Sequence, residues 1–434
     1  MKVAVIGAAG HVGLPFAIVC SLSRAHQVIG YDINEPAINS IKEGKIPFIE
    51  ENGEIYLKEC FNLHTLQFTS NFEDVRAFSP NAIAIMIGTP VDEEGNPNLT
   101  GIIKVIDQLT SYLETHLGTL VLLRSTVSPG TTKLLKDRIE KATRLVEGKD
   151  YYLVFAPERV VQGRSINEAM EHPQLVGVFG DVSFDKAVEF FRGITSCIKL
   201  TPEEAEFGKL ITNMYRYVTF ALANEFYMIG QKKGIDVEKV IKASNNHYSR
   251  MALPLPGANV GGPCLYKDGK FLLDDVPYVD MIRASFEINE GMPDYIYNLI
   301  KTQDKSVNNI LVLGAAFKAN NDDTRNSLAF KFRKVCIKHG VNVQLYDPLV
   351  NHKYVHNVMP QGKFDAVVVM TPHDIFEDWL ENNANSVMGD TIIVDVWKKM
   401  NISKNKINGI YRVNDWIFED IKFSNNVRLA MQGE

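Results

Sequence analysis

The stretch KVAVIGAAGHVG, residues 2–13, decides the fold of the N-terminal part of this chain. It begins with a short apolar run, Lys2–Ile6, and continues into three glycines with the spacing GxxGxxG. An apolar strand that ends in a glycine-rich turn and opens a helix is typical of the first unit of a doubly wound sheet. The stretch therefore predicts a parallel α/β sheet.

Further apolar runs of similar length follow, each separated from the next by a helical stretch. Because strands that alternate with helices form right-handed crossovers, we predict buried parallel strands over residues 2–6, 27–31, 82–87, 120–124 and 152–155. The alternation resumes towards the C-terminus, where strands are predicted over residues 309–313, 341–346, 366–370 and 391–394. The chain is therefore expected to contain two α/β sheets.

The middle of the chain has a helical pattern. Thr201-Pro202 is a good helix start, and apolar residues recur at helical spacing from there to about Gly230 without a breaker. A second helix is predicted near Val237–Ser244, and Asn245–Gly262, rich in Pro, Gly and Asn, is predicted to be a loop. We divide the chain into a first sheet domain, a helical central domain and a smaller sheet domain, over residues 1–198, 199–300 and 301–434.

Composition narrows the class of protein. Hydrophobic residues make up 45% and charged residues 23% of the 434 residues, the ordinary mix of a globular protein. A net charge of -6 with scattered Lys and Arg argues against a nucleic-acid partner. No apolar stretch approaches the roughly 20 residues of a membrane helix, and the first residues begin a strand, so we expect neither a membrane segment nor a signal peptide.

The five cysteines are widely separated, and no two have CxxC spacing. This pattern predicts neither a metal site nor a disulfide framework. We therefore expect a protein of a reducing compartment, the cytoplasm.

Asp32 adds a cofactor to the glycine pattern. The turn contains Gly7, Gly10, His11, Val12 and Gly13, and its backbone N–H groups are suited to a pyrophosphate at the helix N-terminus. Asp32 ends the second predicted strand, where a carboxylate accepts both ribose hydroxyls and repels a 2′-phosphate. We predict NAD rather than NADP as the cofactor; the alternative is a purely structural βα turn.

Two loops follow predicted strands of the same sheet. They contain Thr89-Pro90 and the run from Ser125 and Thr126 to Gly130. Because ligands of open α/β sheets lie outside the carboxyl ends of the strands, both loops are expected to line the cofactor site. Each of them, taken singly, is also compatible with an ordinary turn.

Cys264 lies between a glycine-rich turn, Gly261-Gly262, and the pair Lys267-Asp268. A neighbouring cation stabilises a thiolate, so this context predicts a nucleophile. Asp268 comes one helical turn later and is a candidate base if a helix starts there. The alternative is a small core cysteine.

Three polar residues elsewhere are candidate catalytic groups. Lys209 and Asn213 are four residues apart on the long helix, so both project from one face and are suited to hold an oxyanion, unless that face meets solvent. Glu158, in Pro157-Glu158-Arg159, follows another predicted strand. A carboxylate there is also explained by the macrodipole at the start of a helix.

Together these features resemble the UDP-glucose/GDP-mannose dehydrogenase family over nearly the whole chain. The resemblance is carried, in chain order, by Gly10–Pro15, Gly88–Asp92, Ser125–Val127, Pro157-Glu158, Ala205-Glu206 with Lys209 and Asn213, Gly261–Asp268, Leu313–Lys318, Asp323–Arg325, Tyr346–Pro348 and Thr371–His373. It implies two Rossmann-like doubly wound domains joined by a long-helix central domain that forms a homodimer. It also implies a role in polysaccharide biosynthesis.

The resemblance further implies how the residues divide the work. Cys264 is the nucleophile that forms a thiohemiacetal and then a thioester with C6 of a nucleotide sugar, and Lys209 and Asn213 stabilise the oxyanion. Asp268 assists the cysteine or water, and Thr126 and Glu158 order the water. The implied NAD contacts are the glycine turn, Asp32, Thr89, Ser125, Thr126, Lys267 and Arg325. The implied contacts to a UDP-sugar are Glu158, Arg159, Lys209, Asn213, Arg250, Leu255, Gly257, Gly261, Phe317 and Lys318.

Some positions depart from the family pattern. The glycine loop is one residue longer than GxGxxG, Ala37 stands where a basic residue is frequent, and Asp395-Val396-Trp397 replaces Asp-Gly-Arg, which leaves Lys398 as a substitute cation. The run Pro157–Val160 with Gly163 favours a UDP-N-acetylhexosamine, with UDP-glucose close behind. The alternatives are a GDP-mannose 6-dehydrogenase, a two-electron 6-phosphogluconate or hydroxyacid dehydrogenase, and a catalytically silent nucleotide-sugar sensor.

Overall fold

A computed structural model describes residues 1–23, 25–91, 98–272, 279–377, 391–397 and 411–412. Asp92 and Lys398, which the sequence singled out, lie outside the described residues. The chain separates into two compact units, one made of Met1–Met214 with Lys267–Pro277 and the other of Tyr215–Tyr266 with Tyr278–Glu434. The division into three domains at residues 198 and 300 stays a prediction.

The first unit contains a sheet of eight described strands in the order β3-β2-β1-β4-β5-β6-β7-β8. The pairs are parallel except for β6 and β7, which are antiparallel. The strands are β1 (Lys2–Ile6), β2 (Gln27–Tyr31), β3 (Leu66–Thr69), β4 (Ala82–Ile85), β5 (Thr119–Leu123), β6 (Tyr151–Phe155), β7 (Gln174–Val178) and β8 (Cys197–Leu200). Every residue of β4 and β5 is buried, because helices cover both faces of a doubly wound sheet.

Helices connect these strands. They are α1 (Gly13–Leu22), α2 (Glu35–Lys42), α3 (Gly53–Asn62), α4 (Phe72–Phe78), α5 (Thr100–Thr115), α6 (Thr131–Thr143), α7 (Ser165–Glu171) and α8 (Asp181–Phe191). The strand order reverses at β1, which pairs with both β2 and β4. This switch point brings the loops after β1, β4, β5 and β6 to one edge of the sheet, the usual place for a ligand.

Five helices are described in the rest of the chain, namely α9 (Pro202–Lys233), α10 (Val237–Asn245), α11 (Leu265–Asp268), α12 (Asp280–Gln303) and α13 (Leu328–Lys338). The second unit has an all-parallel sheet in the order β11-β10-β9-β12-β13-β14. Its described strands are β9 (Asn309–Leu313), β10 (Asn342–Tyr346), β11 (Val355–His356), β12 (Ala366–Val369), β13 (Ile392–Val394) and β14 (Tyr411–Arg412). The predicted α/β class with two parallel sheets and a helical middle is confirmed.

The boundaries differ from the predicted ones in instructive places. The long helix continues beyond Gly230 to Lys233. Glycine is needed at position 230 because a Cβ there would clash with Val237, at the start of α10. Helix α12 was not predicted, since Pro293 lies inside it and proline normally reads as a helix breaker. Within the described residues, no helix is long and apolar enough to cross a bilayer.

Candidate active site

The turn after β1 has a backbone conformation and close backbone contacts that require glycine. Gly7 has a φ of +88°, and a Cβ there would lie 2.6 Å from the Met86 carbonyl oxygen. The N–H groups of Gly7 and Ala8 both donate to the Tyr31 carbonyl, at 2.9 and 3.0 Å. At Gly13 a Cβ would collide with the backbone of Gly7. Two of the three glycines are therefore required by the folded chain itself.

Gly10, in contrast, is not required by the packing of the turn. A Cβ there would meet only the Gly7 carbonyl oxygen, at an ordinary contact distance of 3.6 Å. No side chain caps the N-terminus of α1, whose N-cap residue is Val12. A glycine that the packing of the turn does not require fits close approach by a diphosphate at this helix N-terminus.

Asp32 stands beside this turn. Its Oδ2 accepts a hydrogen bond from the Ala9 N–H and its Oδ1 accepts one from the Asn34 N–H, both at 3.0 Å. The side chain is half-buried at the end of β2. A carboxylate anchored to the glycine turn fits the recognition of a ribose. The residues present thus suit a dinucleotide.

The second sheet has a similar arrangement, in which an aspartate after one strand binds the turn after the neighbouring strand. Asp347 follows β10 as Asp32 follows β2, and its Oδ2 accepts from Ala315 N–H at 2.7 Å and from Ala316 N–H at 3.1 Å. His373 Nε2 lies 3.0 Å from the same oxygen, and both side chains are completely buried. Burial raises the pKa of Asp347, but the hydrogen bond and charge of His373 outweigh it and lower the pKa below its ordinary value. This second aspartate serves the packing of its own turn.

His11 and Val12 occupy the lengthened part of the glycine turn. The imidazole ring of His11 lies against Phe48, with centroids 4.2 Å apart, and Gln162 Nε2 is 2.6 Å from His11 Nδ1. Val12 is 39% exposed. The extra residue therefore joins the glycine turn to the loop that follows β6.

The loops after β4 and β5 meet at Thr89. The Thr89 hydroxyl donates to the Thr126 carbonyl at 2.7 Å, and Lys267 Nζ donates to the carbonyl and hydroxyl oxygens of Thr89 at 2.8 and 3.0 Å. Ser125 is buried beside them. The structure thus brings together four of the predicted cofactor contacts, while their contact with NAD stays a prediction.

Glu206 ties the long helix to this edge of the sheet. Its carboxylate is completely buried and accepts from Gly130 N–H at 2.6 Å, from Thr132 N–H at 2.7 Å and from the Thr132 hydroxyl at 2.6 Å. Burial raises the pKa of Glu206, and these hydrogen bonds partly offset the rise. The sequence had singled out Ala205-Glu206 as a motif without a role. Its spacing, three residues before Lys209, was the available signal.

Glu158 is held by a cation that sequence reasoning missed. Arg124 pairs with its carboxylate, and the Arg159 N–H donates to the other carboxylate oxygen at 2.9 Å. The Arg124 side chain is 1% exposed and stacks over the Phe16 ring at 3.9 Å. A charged residue at the end of a buried strand was the available signal, since a buried arginine requires a partner.

Lys209, Asn213 and Asp268 form a buried polar cluster. Their exposed fractions are 9%, 6% and 0%, which removes the alternative that the helix pair faces solvent. Asn213 Nδ2 donates to Asp268 Oδ2 at 2.6 Å, and Lys209 Nζ donates to the Glu158 carbonyl. Burial raises the pKa of Asp268, and the charges of Lys209 and Lys267 and the Asn213 bond offset part of the rise. The cluster therefore contains a carboxyl group suited to exchange protons.

In the second unit, Cys264 stands out among the cysteines. All five are described, and only Cys264 is exposed. Burial raises the pKa of Cys20 and Cys336 to about 12 and that of Cys197 to about 11, so these thiols are poor nucleophiles. Cys264 immediately precedes helix α11, as the sequence required for a helical turn leading to Asp268.

Arg325 interacts electrostatically with the Cys264 thiol. Asp323 binds Arg325 through two carboxylate oxygens, and this pairing, with a smaller contribution from Cys264, raises the pKa of Arg325. A guanidinium near a thiol favours the thiolate. Lys267, the neighbouring cation in the sequence, donates to Thr89, and its effect on the Cys264 thiol stays a prediction.

The loop before Cys264 lies against the predicted sugar contacts. Gly262 has a φ of +99°, and a Cβ there would lie 2.8 Å from the Phe317 ring. Phe317 N–H donates to the Asp323 carbonyl at 2.9 Å. A Cβ at Gly257 would overlap the indole ring of Trp397, which occupies space beside this loop. Gly262 therefore contacts Phe317, whereas Gly257 contacts Trp397.

Three further predicted substrate contacts are placed as follows. Leu255 and Lys318 are half-buried. Arg250 is exposed, with its guanidinium 4.9 Å from the Tyr248 ring centroid. Their contact with a sugar nucleotide stays a prediction. No group of three or more His, Cys, Asp or Glu side chains suited to a metal occurs in the described part of the chain.

Comparison with known proteins gives matches along almost the whole chain. Three models of the UDP-glucose/GDP-mannose dehydrogenase family match it: the NAD binding domain over residues 1–195, the central domain over residues 203–291 and the UDP binding domain over residues 311–402.

Individual relatives agree with the family models. A UDP-N-acetyl-D-mannosamine dehydrogenase of Pyrococcus horikoshii is 34% identical over 406 residues, which cover 91% of this chain and 95% of that protein. The solved structure of the UDP-D-ManNAc dehydrogenase of that organism matches with a TM-score of 0.84 and 32% identity, covering 95% of this chain and 99% of that one. An NDP-N-acetyl-D-galactosaminuronic acid dehydrogenase of Ralstonia nicotianae is 30% identical over 343 residues, which cover 76% of this chain and 78% of that protein.

Proposed function

Because the chain belongs to the UDP-glucose/GDP-mannose dehydrogenase family, we propose that it oxidises C6 of a UDP-N-acetylhexosamine from alcohol to carboxylate. The observation that carries the proposal is one exposed cysteine, Cys264, which directly precedes the helix with Lys267 and Asp268. The N-acetyl sugar is favoured because relatives that are 34% and 30% identical to this chain are named for UDP-N-acetyl-D-mannosamine and an N-acetyl-D-galactosaminuronic acid. UDP-N-acetylmannosamine is the first substrate to test.

The chain carries the NAD binding domain of the family, and bound NAD supplies the acceptor for the hydride that leaves C6 in each oxidation. The glycine turn would place the diphosphate at the N-terminus of α1, and Asp32 would accept hydrogen bonds from the ribose hydroxyls. Asp32 also disfavours the 2′-phosphate of NADP, because two anions would then meet without an added cation.

Cys264 divides the oxidation into two steps at one carbon. Once C6 is an aldehyde, Cys264 Sγ bonds to it, and the carbonyl oxygen takes a proton to give a thiohemiacetal. Loss of a second hydride and of that hydroxyl proton gives a thioester. Water then adds to C6 and the C–S bond breaks, so that the carboxylate leaves and the thiol is restored. Cysteine suits both roles because sulfur is a soft nucleophile and a good leaving group.

The buried cluster supplies charge and proton transfer in this scheme. Lys209 and Asn213 stabilise the oxyanion that forms when sulfur or water adds to C6. Asp268 accepts a proton from the thiol or the water, a role that suits a carboxyl group whose pKa is raised. Glu158, fixed by Arg124, and Thr126 order the water that hydrolyses the thioester.

A panel assay tests the function. Wild-type protein is incubated with NAD and, separately, with UDP-N-acetylmannosamine, UDP-N-acetylglucosamine, UDP-glucose and GDP-mannose, and NADH is measured against sugar consumed. We expect two NADH per sugar and the highest kcat/KM with a UDP-N-acetylhexosamine. One NADH per sugar contradicts the four-electron reaction and supports a two-electron dehydrogenase. A higher kcat/KM with GDP-mannose or UDP-glucose would identify that sugar nucleotide as the substrate instead. Absence of NADH with every sugar would support a silent sensor.

We also propose that α9 forms a homodimer interface with a second copy of the chain. Six large apolar side chains on α9 are 41–57% exposed and recur every three, four or seven residues, which places them along one stripe: Phe207, Ile211, Tyr215, Leu222, Phe226 and Ile229. A stripe on a helix pairs with itself about a twofold axis. Light scattering should give twice the chain mass for wild-type protein and the monomer mass for Phe226→Glu. A monomeric wild-type protein would contradict this interface.

A further inference from the structure

We propose that Asn259 is a positioning residue that fixes the Cys264 loop against the segment carrying Phe317 and Arg325, an inference that rests on the proposed function. Asn259 is 2% exposed and lies five residues before Cys264. Neither the sequence nor the family comparison singled it out. All of the contacts that support the inference lie within the second unit.

The Asn259 amide connects three separate segments. Its Nδ2, which has two hydrogens, lies within hydrogen-bonding distance of three acceptors: the Ala316 carbonyl at 3.0 Å, the Ser327 hydroxyl at 3.0 Å and the Thr371 hydroxyl at 3.1 Å. Its Oδ1 accepts from the Leu328 N–H at 2.8 Å, so it caps the first turn of α13. A single side chain thus meets the ends of β9 and β12 and the start of a helix.

These partners adjoin the residues proposed to contact the substrate and cofactor. Ala316 immediately precedes Phe317, and Ser327 comes two residues after Arg325. Asn259 therefore links the cysteine loop, through the backbone, to both residues. A shift of the loop would change the position of Cys264 relative to them.

The glycines of the loop bring its backbone into close contact with the same segment. A Cβ at Gly261 would overlap the Asn326 carbonyl oxygen, and Gly262 N–H donates to that same oxygen at 3.3 Å. Gly262 packs against the Phe317 ring. The backbone of Gly261 and Gly262 is thus in direct contact with residues 317–326. We infer that the Asn259 amide fixes the position of the loop along this segment.

The nearly isosteric variant Asn259→Asp separates positioning from packing. It keeps the oxygen that caps α13, but it replaces the N–H donor with a carboxylate oxygen that faces the Ala316 carbonyl oxygen. The Ser327 and Thr371 hydroxyls can rotate to donate to a carboxylate, whereas the carbonyl cannot. The resulting repulsion displaces the loop without opening a cavity. Misplacing a reacting group by about 1 Å costs up to about a hundredfold in rate. We therefore expect kcat to fall by about ten- to a hundredfold, with a smaller change in the dissociation constant of UDP.

Three measurements on the full-length protein test the inference. They are steady-state NADH production, UDP binding by calorimetry, and the rate at which iodoacetamide alkylates Cys264 with and without UDP, followed by mass spectrometry. In wild-type protein we expect UDP to slow alkylation, and in Asn259→Asp we expect most of that protection to be lost while UDP still binds. Asn342→Asp, the same chemical change at an exposed site of β10, is the matched control and should match wild type.

The outcomes separate the inference from the proposed function. If wild-type protein oxidises no UDP-sugar, the proposed function fails, whereas the alkylation measurement still tests Asn259. Unchanged kcat and unchanged protection in Asn259→Asp overturn the inference. If that variant does not fold, Thr371→Val removes one partner hydroxyl instead. Thr371→Val should also reduce the protection of Cys264 by UDP. If UDP protects Cys264 in Thr371→Val as well as in wild-type protein, the inference is overturned.

Discussion

Asn213 donates a hydrogen bond from its Nδ2 to Oδ2 of Asp268 over 2.6 Å, and both side chains are buried. The two residues are 55 positions apart in the chain, and the bond joins α9 to α11. The amide donor that we assign to the oxyanion therefore contacts the carboxylate that we assign to proton transfer. The two roles are coupled through this bond.

Truncating the helix pair should slow the chemical steps more than it weakens binding. Lys209→Ala removes a buried cation, and loss of one preorganised donor costs about 3–4 kcal/mol, roughly a hundred- to a thousandfold in kcat. Asn213→Ala should act in the same direction but more mildly, because it removes a neutral donor. The double variant should lose less than the sum if both hold one oxygen. Steady-state kinetics decide: a change confined to KM would mean that Lys209 serves substrate binding.

Removing the charge of Lys267 should move the acidic limb of the pH–rate profile. Lys267 Nζ lies 3.9 Å from Asp268 Oδ1 and lowers the pKa of that carboxyl. In Lys267→Met this contribution is lost, so the pKa of Asp268 rises and the base is protonated at a higher pH. The limb on which kcat falls as pH decreases should therefore shift to higher pH. Lys270→Met, three residues along the chain, is the control. An acidic limb that does not move in Lys267→Met would mean that Asp268 is not the group that transfers the proton.

Replacing the sulfur of Cys264 should stop turnover. In Cys264→Ser an oxygen nucleophile forms an ester in place of a thioester, and the ester releases product slowly because oxygen is the poorer leaving group. We expect NADH production to be abolished beyond a first turnover, with the sugar mass retained on the protein by mass spectrometry. Cys197→Ser is the matched control, since that thiol is half-buried and has a raised pKa. Near wild-type turnover in Cys264→Ser would remove Cys264 from the mechanism.

Asp32 should determine the choice between NAD and NADP. Wild-type protein should have a much higher kcat/KM with NAD, because the 2′-phosphate of NADP would meet the Asp32 carboxylate. Asp32→Ser should lower kcat/KM with NAD and narrow the ratio between the two cofactors. Asp74→Ser, at a carboxylate that accepts from the Thr69 hydroxyl in the next connection, is the control. Comparable efficiency with NAD and NADP in wild-type protein would refute the role of Asp32.

Local patterns were sufficient for the fold class. The strand from Lys2 to Ile6, the glycine turn and the placement of Asp32 at the end of β2 follow from apolar runs and turn chemistry over a few residues. The prediction of two parallel α/β sheets around a helical middle depended on such patterns and is confirmed. Strands β3, β7 and β8 were not predicted. The antiparallel pairing of β7 with β6 is also beyond local patterns, because an apolar run carries no information on the direction of its partner.

The partners of the polar residues were decided only by the tertiary structure. Arg124 with Glu158, Glu206 with Gly130, and Asn213 with Asp268 are separated by 34, 76 and 55 residues. Nothing near these residues in the chain specifies the partner. A strand or a turn is selected by interactions among neighbours in the sequence, whereas a buried charge or amide finds its partner only where packing brings distant segments together and excludes water.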